Sequence, residues 1–144
     1  MKRTKKNNKG FSLVELIVVV LIMAIIAVAL APQVMKWVNE SRKSADASTY
    51  DSVVAACQDA LADEDVWNKV VDPTSTSTIV ITIDNEKCTL NGDQKFQDEV
   101  KKQLGGADPA KIKLKQKDAS AKVTINCKDG TVERTQEPTV AAGN

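Results

Sequence analysis

Twenty consecutive residues, Leu16 to Met35, carry no charge. An α-helix rises about 1.5 Å per residue, so this run spans roughly 30 Å, the thickness of a bilayer's hydrocarbon core. Ahead of it, residues 1–10 hold Lys2, Arg3, Lys5, Lys6 and Lys9 and no acid. The formal net charge of +1 therefore hides a +5 leader and a remainder with 15 basic against 19 acidic residues. Basic residues before a spanning segment hold that end in the cytoplasm, so the C-terminus is expected outside. Lys36 and Trp37 close the run, a pairing suited to the outer membrane–water interface.

Two residues disturb the simple anchor. Glu15 opens the apolar stretch, four residues after Phe11, and twelve Leu, Ile and Val residues follow it by Met35. At about −0.3 to −0.6 kcal/mol each they outweigh the roughly +3 kcal/mol of one acid, so insertion survives. An intramembrane carboxylate then asks for a functional reason. Pro32 removes one helical hydrogen bond and presses on the preceding turn, which predicts a kink or a locally melted turn.

The segment Gly10-Phe11-Ser12-Leu13-Val14-Glu15, after a Lys-rich leader and before about 20 apolar residues, resembles the class III signal of type IV prepilins. The resemblance is specific over residues 1–60 and architectural beyond. It implies cleavage by a prepilin peptidase after Gly10 and N-methylation of Phe11 as the first mature residue. It also implies an assembly role for Phe11, for Glu15 as the family's fifth-position glutamate, and for Pro32 as its helix-breaking proline. Ser12 stands where the family usually has Thr. Physical chemistry supports these roles. Cleavage creates an amine in apolar surroundings, and a buried amine and carboxylate cost far less as a pair than alone. Glu15 of one subunit meeting the Phe11 amine of its neighbour would set the register of a filament. Two blander readings use the same residues: a secretory signal cut at Ala29-Leu30-Ala31, directly before Pro32, and an unprocessed single-pass anchor.

The helix is expected to continue past the membrane. Val34, Trp37/Val38, Ser41, Ala45, Ser48/Thr49, Val53, Ala56/Cys57 and Ala60/Leu61 recur at three- and four-residue steps to about Ala62. Lys36–Glu40 and Arg42–Asp46 read as i,i+4 charge pairs on other faces. The stripe suits a spine for a small head, with a coiled-coil seam as the alternative. Asp63, Glu64 and Asp65 are unfavourable to a helix C-terminus and are expected to end it. They lack the loop pattern of a calcium site. Pro73 to Ser77 reads as a polar loop, and the Asn39-Glu40-Ser41 sequon lies mid-helix.

Beyond it the periodicity changes to two. Ile79, Ile81 and Ile83 mark a strand, then a turn at Asp84-Asn85-Glu86 and a short strand with Cys88 and Leu90. Gln94 to Leu104 suits a helix with Phe96 and Val100 on one face, stopped by Gly105-Gly106 and Pro109. Lys111 to Lys117 alternates with Ile112 and Leu114 as a strand would, and Val123, Ile125 and Cys127 do likewise. Lys128-Asp129-Gly130 turns into Thr131-Val132-Glu133, and residues after Pro138 read as frayed. The fold class is α+β: a long N-terminal helix packed on a small, mostly antiparallel sheet. The boundaries are leader 1–10, transmembrane and polymerisation helix 11–35, amphipathic half 36–62, head 63–137 and flexible tail 138–144.

Cys57, Cys88 and Cys127 all fall on inward faces. A Cys88–Cys127 bridge between strands is favoured, with Cys57 bonded to either strand as the alternative. With no His in the chain and no C-x-x-C pair, no catalytic residue, metal or cofactor is expected, and the chain does not read as an enzyme. Lys111, Lys113, Lys115, Lys117 and Lys122 form the one site-like feature of the head. They read either as a solvated face that discourages edge aggregation or as a patch for an anionic partner: DNA, a host surface, or an acidic region of the next subunit.

The expected product is a type IV pilin-like structural subunit, first a single-pass protein of the cytoplasmic membrane and then part of an extracellular homopolymer. The resemblance implies the prepilin peptidase/methyltransferase, an assembly ATPase and a membrane platform protein as partners. A pseudopilin of a type II secretion or DNA-uptake machine is one alternative. A monomeric, signal-anchored binding domain is the other.

Overall fold

A computed structural model describes residues 10–140. The chain divides into two compact units between Val38 and Asn39. One helix, α1 (Leu13–Leu61), contributes to both. Its apolar first half is long enough to cross a bilayer, and every residue from Gly10 to Ser44 is exposed. The helix continues through Pro32 without an interruption in its assignment. The expected locally melted turn is therefore absent, because one missing N–H leaves the flanking i→i−4 bonds intact.

In the second unit, α1 is the spine of an α+β head. The remaining elements are α2 (Glu64–Val70), β1 (Thr78–Asp84), β2 (Cys88–Thr89), α3 (Gln94–Gln103), a 3₁₀ turn (Pro109–Lys111), β3 (Ala119–Asn126) and β4 (Val132–Val140). The four strands form an antiparallel sheet in the order β2-β1-β3-β4. Alternation decides its inner face: Ile81 and Ile83 from β1, and Ala119, Ala121, Val123 and Ile125 from β3, are buried. They form one core with Tyr50, Val53, Val54, Cys57, Ala60 and Leu61 of α1, with Val66 and Val70 of α2, and with Phe96 and Val100 of α3.

Further expectations are corrected. The acids at 63–65 do not merely end α1. Asp63 caps α2, accepting the N–H groups of Asp65 and Val66, and Glu64 and Asp65 lie in the first turn, where negative charge favours the helix dipole. Lys111 to Lys117 is not a strand. Its alternation of burial holds from Lys111 to Lys117, but no strand pairs with it, and the Leu114 N–H is held by the Asp84 carbonyl. The chain does not fray directly after Pro138. β4 runs to Val140, and Pro138 is tolerated because β4 is an edge strand; residues 141–144 of the expected tail, like 1–9 of the leader, lie outside the described residues. The apolar stripe also enters the head one residue later than expected: Asp46 and Tyr50 are buried, while Ser41 and Ser48 are exposed. Neither Lys36–Glu40 nor Arg42–Asp46 forms an ion pair.

Candidate functional site

The first candidate site is the start of α1. Gly10 and Phe11 precede the helix, and Phe11 is 86% exposed. A Cβ placed on Gly10 would meet nothing within 4 Å among the described residues, so their packing does not require this glycine. Ser12 occupies the N-cap position, its carbonyl accepting the Leu16 N–H at 3.2 Å. Glu15 reaches back, and its Oε2 accepts the Ser12 N–H at 2.9 Å. This is the reciprocal half of a capping box, in which the third helical residue satisfies the cap's own amide. The S-x-x-E spacing of Ser12 and Glu15 is the sequence signature of this cap. Pro32 lies in α1 well away from this cap, on the exposed stretch.

The second candidate is the lysine segment. Ile112 and Leu114 turn toward the core while Lys111, Lys113 and Lys115 stay exposed, as does Lys117. A short loop of this kind needs an anchor, and Asp46 provides it. This carboxylate is fully buried, and its two oxygens accept the backbone N–H groups of Lys115 and Gln116, the latter at 3.0 Å. The sequence assigns Asp46 only to an exposed pair with Arg42, four residues earlier, and carries no local signal of its role as the loop's anchor. Lys111, Lys113, Lys115 and Lys117 line one open hollow of about 680 Å³ with Arg42 and Asn85. Lys122 does not line it. It lies on the outer face of β3, at the irregularity in the β3–β4 register, and its carbonyl accepts the Tyr50 hydroxyl at 3.0 Å.

The cysteines are free thiols, all buried. Cys88 and Cys127 are not brought together. Cys88 pairs with Ile83 and Ile83 with Ala121, so Cys127 lies six residues along the next strand, about 20 Å farther at the usual strand rise. A disulfide needs Cα atoms within about 7 Å. Cys57 is instead the neighbour of Cys88. Burial pushes the Cys57 thiol up to about 12, with Cys88 adding to the effect. Burial and then the Asp84 charge push Cys88 up to about 11. Thiols held protonated in this way are poor nucleophiles. Among the described residues no cluster of His, Cys, Asp or Glu is placed to hold a metal ion.

Comparison with known families reaches the segment that holds the first candidate. Residues 5–31 match the family model described as the prokaryotic N-terminal methylation motif. The match covers the end of the leader, Gly10 to Glu15 and most of the uncharged run. Neither the curated proteins nor the solved structures contain a match to the chain. The chain thus has a type IV prepilin-like signal followed by an α+β head.

Proposed function

We propose that the protein is a structural subunit of a type IV pilus-like filament, not an enzyme. The observation that carries this reading is the methylation motif at the head of a helix whose apolar half is wholly exposed. Such a surface has to be covered by lipid before assembly and by other copies of the same helix afterwards. A repeating head-to-tail contact that does not close produces a helical filament. In this reading the prepilin peptidase cuts between Gly10 and Phe11 and methylates the Phe11 amine. The subunit waits in the cytoplasmic membrane with its head outside. An assembly ATPase and a membrane platform protein then move it into an extracellular homopolymer. Glu15 trades its own cap for the Phe11 amine of a neighbour, and Pro32 gives the helix the local freedom to pack.

Mass spectrometry of the N-terminal peptide from a sheared surface fraction tests the proposal. The expected peptide begins at Phe11 and is one methyl group heavier than its sequence. A start at Pro32, or an intact Met1, would overturn it. Long filaments in the same fraction distinguish a pilus from the short piston of a pseudopilin. Gly10→Val is expected to abolish the cut. Because nothing among the described residues crowds Gly10, that loss would report recognition by the peptidase and not misfolding of the head.

A further inference from the structure

The uncharged run ends at Met35, and Lys36, Arg42 and Lys43 follow within eight residues of it. Basic residues so close to the outer end of a span work against the topology that the leader sets, so their presence asks for a reason. The fold adds to them. Asp46, on the same stretch of α1, accepts the N–H groups of Lys115 and Gln116 and so fastens a loop almost seventy residues away in sequence. Leu114, buried in the core with its N–H on the Asp84 carbonyl, fixes that loop from the other side. The resulting hollow is lined by Arg42, Lys111, Lys113, Lys115 and Lys117, and by no carboxylate. None of the five takes part in an ion pair among the described residues. Elsewhere in the head, Lys95, Lys101, Lys102 and Arg134 each hold an acid within 3.2 Å. Asp108, close by in sequence, turns its carboxylate onto the Ala110 N–H of its own 3₁₀ turn. Five like charges are thus gathered and left without a counter-charge from the chain.

Chain length bounds how far these cations can stand from the membrane, whatever angle the head takes. Arg42 follows Met35 by seven helical residues, about 10 Å, and Asp46 follows it by eleven, about 16 Å. Headgroups occupy about 5–8 Å beyond the hydrocarbon core on each side. The potential of an anionic surface decays over a further ~8 Å at physiological ionic strength. Arg42, and the loop that Asp46 holds, therefore stand within or close to the range of that potential, and long basic side chains extend toward it. A small dissolved anion would be held poorly, because the lining cations are exposed and no buried polar side chain lines the hollow. A second copy is also a poorer occupant, since its acidic α2–α3 edge already spends Asp65, Asp98 and Glu99 on its own lysines. Anionic lipid repeats across a surface, and the span keeps the head beside it, so effective concentration multiplies weak contacts. We infer that the hollow of Arg42 and Lys111–Lys117 docks the head on anionic headgroups, of the phosphatidylglycerol type, at the outer face of the membrane that anchors the chain. The inference rests on the membrane-anchored state of the proposed subunit. Docking holds the head down while the subunit waits, and withdrawal into a filament has to break it.

Lysine acylation tests it, read peptide by peptide by mass spectrometry. The full chain is placed singly in nanodiscs of phosphatidylcholine, alone or mixed with phosphatidylglycerol. Single occupancy removes contacts between copies, and site-by-site reading separates the head from the leader. Lys111, Lys113 and Lys115 are expected to react at least about threefold more slowly in the mixed discs, while Lys95, Lys101 and Lys102 react equally in both. Salt near 1 M, where the screening length falls to about 3 Å, should remove the difference. Seven neutral helix-forming residues inserted after Asn39 lift the hollow by about 10 Å and, being close to two turns, nearly preserve its direction. The lengthened chain is expected to lose the protection. If it misfolds by circular dichroism, R42Q/K113Q/K117Q replaces it, and Lys111 and Lys115 should then lose at least half of their protection. Equal labelling in the two lipids would overturn the inference, as would equal slowing of the control lysines or protection that survives in a folded variant. A chain that fails to enter the discs would overturn the anchored subunit as well, whereas one that enters and labels equally in both lipids overturns this inference alone.

Discussion

Taking Asp46 out of water leaves a carboxylate that must find donors, and the head supplies two backbone amides from a loop almost seventy residues away in sequence. Asp46→Ala would orphan both amides in a buried place, at about 1–3 kcal/mol each. We expect a loss of about 2–4 kcal/mol in urea unfolding of the full chain. Asp46→Asn keeps one acceptor but turns an amide group on the second N–H, so its midpoint should fall between the other two. A midpoint for Asp46→Ala within 0.5 kcal/mol of the parent, on the ordinary scale of surface changes, would show that Asp46 does not anchor the loop. The sequence hid this residue because Arg42 sits four positions earlier, the spacing of an exposed helical ion pair. Burial, which decides between the two roles, is a property of the assembled core. Tyr50 illustrates the same point. Its ring is buried, its hydroxyl donates to the Lys122 carbonyl, and the Arg134 guanidinium lies 5.7 Å from its centroid while also pairing with Asp51 at 2.7 Å. Nothing local to Tyr50 announces partners on β3 and β4.

At the scale of elements, legibility followed the source of each signal. β1, β3 and α3 were readable because burial imposes periods of two and of about 3.6 on their own residues, as Ile81/Ile83, Val123/Ile125 and Phe96/Val100 show. The lysine segment has the same period of two but no neighbouring strand, since its amides go to Asp46 and Asp84; alternation reports burial and not pairing. α2 was missed because acids that are wrong for the end of one helix are right for the start of the next. The β3–β4 turn was legible, and its demands are strict. Gly130 has φ +71, and a Cβ there would come within 2.5 Å of Trp67 Cζ3. Gly130→Ala is expected to cost about 1–2 kcal/mol for the backbone alone and to shift Trp67 fluorescence as the ring is displaced; unchanged emission would show that the ring does not rest on this turn. The cysteines, placed correctly on inward faces, could not be paired from sequence because strand order is not local information. Their burial predicts a pH dependence. Both Cys57 and Cys88 are held above the ordinary thiol value, so the unfolded chain loses those protons first as pH rises. Their contribution is complete below about 9 and is lost as pH climbs toward about 11 and about 12. Tyr50, raised by burial, acts in the same direction. The urea midpoint should therefore fall between pH 8 and 11, and a C57A/C88A variant should show a flatter fall. An equal slope in that variant would locate the alkaline sensitivity elsewhere.

For the whole molecule, the question is what Glu15 does before and after assembly. In the chain as folded, its carboxylate closes a capping box on Ser12. In the proposed filament it faces the methylated amine of Phe11 on a neighbouring copy. Glutamine separates these roles, because it serves a capping box as glutamate does but carries no charge. Glu15→Gln is therefore expected to insert, to be cut after Gly10 and to keep its helix start, yet to yield far fewer filaments in the sheared fraction. Glu15→Ala should lose both the cap and the charge, and so should match Glu15→Gln in filament yield while fraying the first turn. Amide hydrogen exchange at Ser12 and Leu13 in micelles reads the cap, and immunoblotting of sheared material reads assembly. If Glu15→Gln assembles normally while Glu15→Ala does not, the carboxylate works through its cap and the inter-subunit charge pair fails. If both assemble poorly but only Glu15→Ala exchanges faster, charge pairing sets the register, and the cap is the resting state from which each subunit is drawn into the filament.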